Sequence, residues 1–317
     1  MKMFNAKSKM LNVLTGAAAV VFLAALSGCA GSCPCEAVVK VNGIIAPGAE
    51  VIEVSTEFGF TEGPAADAAG NVYFTDQPND RIMIYTTDGR LETFMQPSGR
   101  SNGLYFDGDG SLIACADEKN ELWRINVKTK EHVVLAQRYE GKLLNAPNDA
   151  WVHPKTGWIY FSDPFYKRAW WDRGPAEQSC QGVYRVNGDG TGLVRVIDDL
   201  VKPNGLIGTP DGKTLYVADI QDRKTYAYDI AADGTLTNRR LFCEPGSDGM
   251  TLDACGNVYL TGDGVLVFSP AGEQIAHIKV PQRWTANVTF GGKDRKTLFM
   301  TASTGVYTLQ MNVGGAQ

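Results

Sequence analysis

Histidine is nearly absent from this chain of 317 residues: only His132, His153 and His277 occur. None of the three lies in the setting of an activated serine nucleophile, so a Ser-His-Asp esterase is a poor reading and all three are expected to be structural. No cluster of His accompanies any Cys, which argues against a zinc-binding motif. Basic runs are also missing. With 35 acidic against 30 basic residues, a net charge of −5 and a pI near 5.3, the chain is no candidate for a nucleic-acid partner. Beyond the N-terminal segment no sustained 3.6-residue apolar period appears, which argues against a helical body. What the chain does have is glycine, 35 residues of it, recurring in turn pairs between short runs of β-branched and aromatic residues. That composition favours many short strands.

The first residues read as a targeting signal. Lys2, Lys7 and Lys9 precede an apolar stretch from Leu11 to Leu26, which ends in Leu26-Ser27-Gly28-Cys29. The stretch is short for a membrane span and carries small residues before the cleavage point. Leu-Ser-Gly-Cys resembles a bacterial lipobox, in which Cys29 becomes the lipidated first residue. Removing the three Lys of residues 1–28 takes the net charge from −5 to −8. The expected product is exported and lipid-anchored to a bacterial membrane, with Ala30 compatible with an outer-membrane location facing the periplasm. Of the remaining cysteines, Cys33-Pro34-Cys35 lacks the two-residue spacer of a CxxC motif. Disulfide pairing is left open.

A unit then recurs six times. Each copy opens on a polar anchor, passes a turn, and ends a strand on Asp or a small residue. The anchors are Glu62, Asn102, Asn148, Asn204, Asp248 and Asn287, and the strand ends are Asp76, Asp117, Asp163, Asp219, Gly262 and Ala302. Anchor to strand end spans 14, 15, 15, 15, 14 and 15 residues, and successive anchors lie 40, 46, 56, 44 and 39 residues apart. Periods of about 40–50 residues with several strands each mark a β-propeller. The fold expected is all-β: a six-bladed propeller of four-stranded blades, closed by a strand over Glu50–Ser55 that joins the last blade and leaves no open edge. The division expected is a signal peptide over 1–28, a tether over 29–48, the propeller over 49–312 and a tail over 313–317.

A propeller turns equivalent positions of successive blades toward one axis. All six anchors bear side-chain oxygens and two are carboxylates, the donor set of a hard cation. The competing reading is turn chemistry, because Asn-Gly and Asp-Gly are strong hairpin signals. However, another turn candidate follows each anchor within about five to nine residues, and Glu62 is a poor turn residue that nonetheless keeps the phase. The strand-end Asp residues 76, 117, 163 and 219 are expected to accept hydrogen bonds from turn amides.

In Glu62-Gly63-Pro64, Asn145-Ala146-Pro147-Asn148-Asp149, Pro203-Asn204-Gly205, Ser247-Asp248-Gly249-Met250 and Asn287-Val288-Thr289-Phe290, the chain resembles the gluconolactonase, regucalcin (senescence marker protein) and luciferin-regenerating-enzyme family of calcium propellers. The resemblance runs from about Glu57 to Thr308. It implies one divalent ion, with Ca²⁺ expected and Mg²⁺, Mn²⁺ or Zn²⁺ as alternatives, held by Glu62, Asn148, Asn204 and Asp248, with Asp149 in support. Ala65 and Ala66 stand where many members have an apolar residue and Trp, and Phe165–Arg173 is an aromatic, charged insertion suited to a pocket wall.

The activity implied is hydrolysis of a sugar-type lactone, a small molecule, with Asp248 as general base. Asn102, Asn287, Trp151 and Trp284 are the expected substrate contacts, with Tyr166, Arg168 and Trp171 as further wall candidates. Two alternatives stay open: phosphotriesterase-like hydrolysis on the same site, and a non-enzymatic Ca²⁺-binding propeller presenting a face to a ligand or protein.

Overall fold

In a computed structural model of the chain, residues 43–316 are described. Cys29, the leader expected over 1–28 and most of the expected tether lie outside the described residues.

The described chain folds into six four-stranded antiparallel sheets arranged as propeller blades. The innermost strands are Thr61–Ala66, Ser101–Phe106, Ala150–Val152, Pro203–Gly208, Met250–Leu252 and Thr285–Gly291. In every blade the next strand outward is sandwiched between neighbouring blades, so it is buried on both faces and reads as a continuous apolar run. Val72–Asp76, Leu112–Ala116, Ile159–Asp163 and Val258–Gly262 are buried at all five positions. The outermost strands face solvent, as in Leu236–Cys243, where Arg239 and Arg240 are exposed.

Closure follows the expected scheme. Ile52–Ser55 pairs antiparallel with Gly305–Gln310, so blade six takes its outer strand from the N-terminal side and its other three from the C-terminal side. At this seam Phe74 of blade one packs on Phe299 of blade six, with ring centroids 5.5 Å apart. Burial of such side chains stabilises by about 1.5–3 kcal/mol each.

The packed body is longer at both ends than the repeats suggest. Ile44 is buried and the backbone N–H of Asn312 donates to its carbonyl at 2.9 Å, while Ile45 bridges Met311. Residues from Gly43 onward therefore belong to the propeller rather than to a tether. The expected tail is also part of the body: Val313 is buried, Gly315 bridges Asp253, and the N–H of Ala316 donates to Leu252 at 3.0 Å. Gly315 and Ala316 close one end of an axial cavity of about 310 Å³, whose walls include Pro64, Leu104, Leu206, Met250 and Val288.

Where the inner strands meet the axis they crowd one another. A Cβ on Gly63 would lie 2.2 Å from the carbonyl oxygen of Asn102, one on Gly103 would lie 2.5 Å from that of Asn148, and one on Gly205 would lie 2.7 Å from that of Asp248. The glycine after each of these anchors is thus a spacing requirement between blades. At Gly63 the backbone is also left-handed, with φ of 44°.

Gly63→Ala is expected to lower the unfolding free energy by about 3 kcal/mol or more, combining backbone strain with overpacking. Gly89→Ala, at φ 86° with nothing within 4 Å of the new Cβ, is expected to cost about 1 kcal/mol. Urea unfolding of the two variants separates the effects, and equal losses would show that the axis is not crowded.

Candidate functional site

In four blades the inner strand carries its anchor near its axial start, and the pairing with the next strand slips at that point. The register shifts fall between Glu62 and Ala65, Ser101 and Leu104, Pro203 and Leu206, and Thr285 and Asn287. Such bulges release a residue from the ladder and re-aim its side chain. Asn148 and Asp248 instead lie just before their strands begin.

Glu62, Asn102, Asn148, Asn204 and Asn287 are buried, at 1–6 % exposure, whereas Asp248 retains partial access to solvent. Asp248 is held by both oxygens: Trp284 Nε1 donates to Oδ2 at 2.6 Å and Asn204 Nδ2 donates to Oδ1 at 2.8 Å. The same Asn204 nitrogen donates to the Tyr166 hydroxyl at 2.8 Å. With its amide nitrogen committed twice, Asn204 keeps its carbonyl oxygen as the end available to a ligand. Glu62 Oε2 accepts from the N–H of Gly63 at 2.8 Å.

Burial pushes the Glu62 carboxyl well above the usual carboxylate range, and the charge of Asp248 adds to that effect. Burial also raises Asp248, to about 6, against the hydrogen bonds from Trp284 and Asn204 and the positive field of Arg168. None of the ion pairs among the described residues involves either carboxylate. Two mutually repelling acids without a fixed counter-charge, flanked by carboxamide oxygens, are chemically suited to a hard divalent cation. Among the described residues no three His, Cys, Asp or Glu side chains gather as a ligand set, so the cup has no zinc-type cluster and depends on its carboxamides.

Beneath this cup lies Asp149, 7 % exposed, at the position where four of the other five blades have the crowding-driven glycine. Burial raises it to about 8, and hydrogen bonds from its neighbours, Ala150 N–H and the Asn287 side chain among them, oppose the shift. Asn287 accepts from the N–H of Val288 at 2.8 Å, and its side chain acts to lower the pKa of both Glu62 and Asp149. At 6 % exposure beside these two carboxyls, it is placed to support them. Asn102 is likewise buried, and its backbone carbonyl accepts from the Thr75 hydroxyl at 2.9 Å.

Trp151 is the clearest correction. It is 2 % exposed and fills the space beside Gly208 of the next blade, where a Cβ would meet its ring at 2.2 Å. It pegs blade three to blade four and does not line the cup. Trp284, by contrast, stands at the cup and is 38 % exposed. The three histidines are remote from it: His132 stacks on Trp123, His153 Nε2 meets the carbonyl of Gly212 at 3.0 Å, and His277 Nε2 meets that of Asp263 at 2.6 Å.

The Phe165–Arg173 segment roofs the cup from one side. Tyr166 enters through its bond to Asn204, and Arg168 lies over the Tyr166 ring while its Nε donates to Asp117 at 3.0 Å. This link was not legible from the repeats. Asp76, Asp163 and Asp219 do accept from loop amides, at 2.9 Å from Gly59, 2.8 Å from Ala146 and 2.7 Å from Val201. In blade two that task falls to Asp80, which takes the N–H groups of Ser98 and Arg100 at 2.9 and 2.7 Å. Asp117 is thereby released to hold Arg168.

Comparison with known proteins agrees with this architecture. The SMP-30/Gluconolactonase/LRE-like region matches residues 60–304. A gluconolactonase from Zymomonas mobilis is 28% identical over 307 residues, covering 87% of this chain and 85% of its own. An X-ray structure assigned as a gluconolactonase is 35% identical, with a TM-score of 0.81 over 88% of this chain and 97% of its own. A gluconolactonase structure from Xanthomonas campestris is 29% identical, with a TM-score of 0.78 over 84% and 91% of the two chains.

Removing Arg168 leaves Asp117, 2 % exposed, without its cation. Arg168→Met is expected to cost about 2–3 kcal/mol in chemical denaturation. In a double-mutant cycle Asp117→Asn is expected to recover part of that loss. Strict additivity of the two substitutions would show that the pair does not hold the roof.

Proposed function

The chain belongs to the SMP-30/Gluconolactonase/LRE-like family, and from that premise we propose that it is a lactonase, opening a sugar-type lactone with Asp248 as general base. The observation that carries the reading is the cup itself: a buried carboxylate at Glu62, a second at Asp248 that keeps partial access to solvent, and an oriented carboxamide between blades. The similarity to gluconolactonases that cover nearly the whole chain supports the reaction class.

Glu62, Asn148, Asn204 and Asp248 would hold the divalent ion, and Ca²⁺ suits their oxygen donors best. When bound, the ion supplies Lewis-acid polarisation of an ester carbonyl and charge compensation for the two acids. The chain's own residues do the rest. Trp284 and Asn204 fix the plane of the Asp248 carboxylate, so that it meets an attacking water rather than rotating freely. Asp248 takes one proton from that water as its oxygen bonds to the lactone carbonyl carbon. The ring C–O bond then breaks, the same proton returns to the departing ring oxygen, and a hydroxy acid results. The Tyr166 hydroxyl accepts from Asn204, which leaves its own proton to donate to a substrate oxygen. Burial raises its pKa, so it stays protonated as a donor. Localisation is a separate part of the proposal: the Leu26-Ser27-Gly28-Cys29 motif supports a lipid anchor on Cys29.

The test is hydrolysis of D-glucono-1,5-lactone by the purified protein with Ca²⁺, Mg²⁺, Mn²⁺ or Zn²⁺ and with EDTA. Turnover above the spontaneous rate is expected to require metal. Asp248→Asn is expected to lower kcat by about 10²-fold or more. Glu62→Gln is expected to weaken the Ca²⁺-induced rise in Tm, which at 100 times Kd corresponds to about 2.7 kcal/mol. Undiminished turnover in Asp248→Asn would remove that residue from the mechanism.

A further inference from the structure

A second cavity adjoins the cup on its outer side, between blades four and five. It has a volume of about 1040 Å³ and is bordered by Ile220, Arg223, Glu244, Pro245, Gly262 and Trp284. Trp284 is the wall it shares with the cup. The indole N–H is fixed on Asp248 at 2.6 Å, while the far edge of the six-membered ring lies over Gly262, where a Cβ would be 3.5 Å away. The cavity thus begins one side chain away from the proposed general base.

The opening coincides with a break in the repeat. Blades one to four carry Asp at the end of their second strand or immediately after it, and three of those carboxylates hold the loop that leads into the same blade's inner strand. Blade five has Gly262 at this position. No carboxylate fills the space there, and the loop before Asp248 is secured from below instead, by Ser247 and Thr261. The missing side chain leaves the floor of the groove bare beneath the indole.

The chemistry of the walls is mixed. Ile220, Pro245, Leu266 and the Trp284 ring provide apolar surface, while Lys224, paired with Asp222 at 2.8 Å, stands beside Arg223 and Glu244. Both charge signs occur at the rim, so the groove is not built for an ion of one sign. An aromatic platform with donors and acceptors around it matches a sugar ring, which offers C–H groups on its face and hydroxyls on its edge. The volume is about the upper end of the range for drug-sized ligands, well beyond what a single aldonolactone requires.

We infer that this groove is a subsite for a second sugar, and that the preferred substrate is a glycosyl-extended aldonolactone whose lactone end sits at Asp248. The inference rests on the lactonase reading for its reaction and on the groove alone for its binding.

Two measurements separate these layers. In the first, kcat/KM is compared for glucono-1,5-lactone and for its β-1,4-glucosyl-extended counterpart, cellobiono-1,5-lactone. The extended lactone is expected to be at least about tenfold better. The double variant Arg223→Ala/Glu244→Ala is expected to lose about that factor on the extended lactone and to stay within about twofold on glucono-1,5-lactone. In the second, binding of non-reactive cellobionate is followed by calorimetry in the wild type and in the double variant. Equal kcat/KM for the two lactones, with no effect of the variant, overturns the subsite. If neither lactone is hydrolysed but cellobionate binds the wild type and not the variant, the lactonase reading falls and the sugar subsite stands. If neither lactone is hydrolysed and cellobionate does not bind, both are overturned.

Discussion

Six strands meet on one axis with so little space between them that several residues following the anchors cannot carry a Cβ. Everything chemical about the molecule depends on that approach. It forces glycine after Glu62, Asn102 and Asn204, and it sets each anchor beside the backbone of the next blade. It also means that, except at Asp248, a polar side chain at an anchor is cut off from bulk water. The anchors must find partners in one another, in backbone amides or in a bound ion. The ring of oxygens is therefore a consequence of close packing as much as a device for binding.

The electrostatics of the cup follow from the same confinement. Glu62 and Asp248 are brought together in a setting that penalises charge, and no Lys or Arg among the described residues pairs with either. Left alone, such a pair favours holding a proton; a divalent ion held by these residues would let both carboxylates ionise. Asp248 differs from the buried anchors in having solvent access and two hydrogen-bond donors that fix its orientation. Position and access, more than residue type, distinguish it from Glu62 as the candidate base.

The architecture was legible in the sequence because its signal is periodic. The 14- or 15-residue interval from anchor to strand end is the length of an inner strand, a hairpin turn and its partner, and that geometry is the same in every blade. Closure by Ile52–Ser55 was legible because the last repeat lacks a strand. What stayed hidden are contacts between residues remote in the chain. Trp151 lies close to an anchor in sequence, yet the strand turns it into the space left by Gly208, and no local pattern announces a pairing 57 residues apart. Asn287 keeps the anchor phase, but it is buried beside Glu62 and Asp149, both remote from it in the chain. The release of Asp117 to Arg168 depends on Asp80 taking over the loop amides of blade two, an exchange invisible in a list of similar strand ends.

These cases share a logic. Where the repeat holds, its residues build the scaffold: glycine at the axis, aspartate at the strand end, apolar runs between blades. Where it breaks, the molecule gains chemistry. Asp149 replaces an axial glycine and adds a carboxylate beneath the cup. Asp117 abandons its loop and anchors a roof carrying Tyr166 and Arg168. Gly262 replaces a strand-end aspartate and bares a groove beside Trp284. A propeller of identical blades could hold an ion on its axis, but by symmetry it could not distinguish one side of a substrate from the other. Recognition of an asymmetric molecule requires the blades to differ, and the departures from the repeat are where they do.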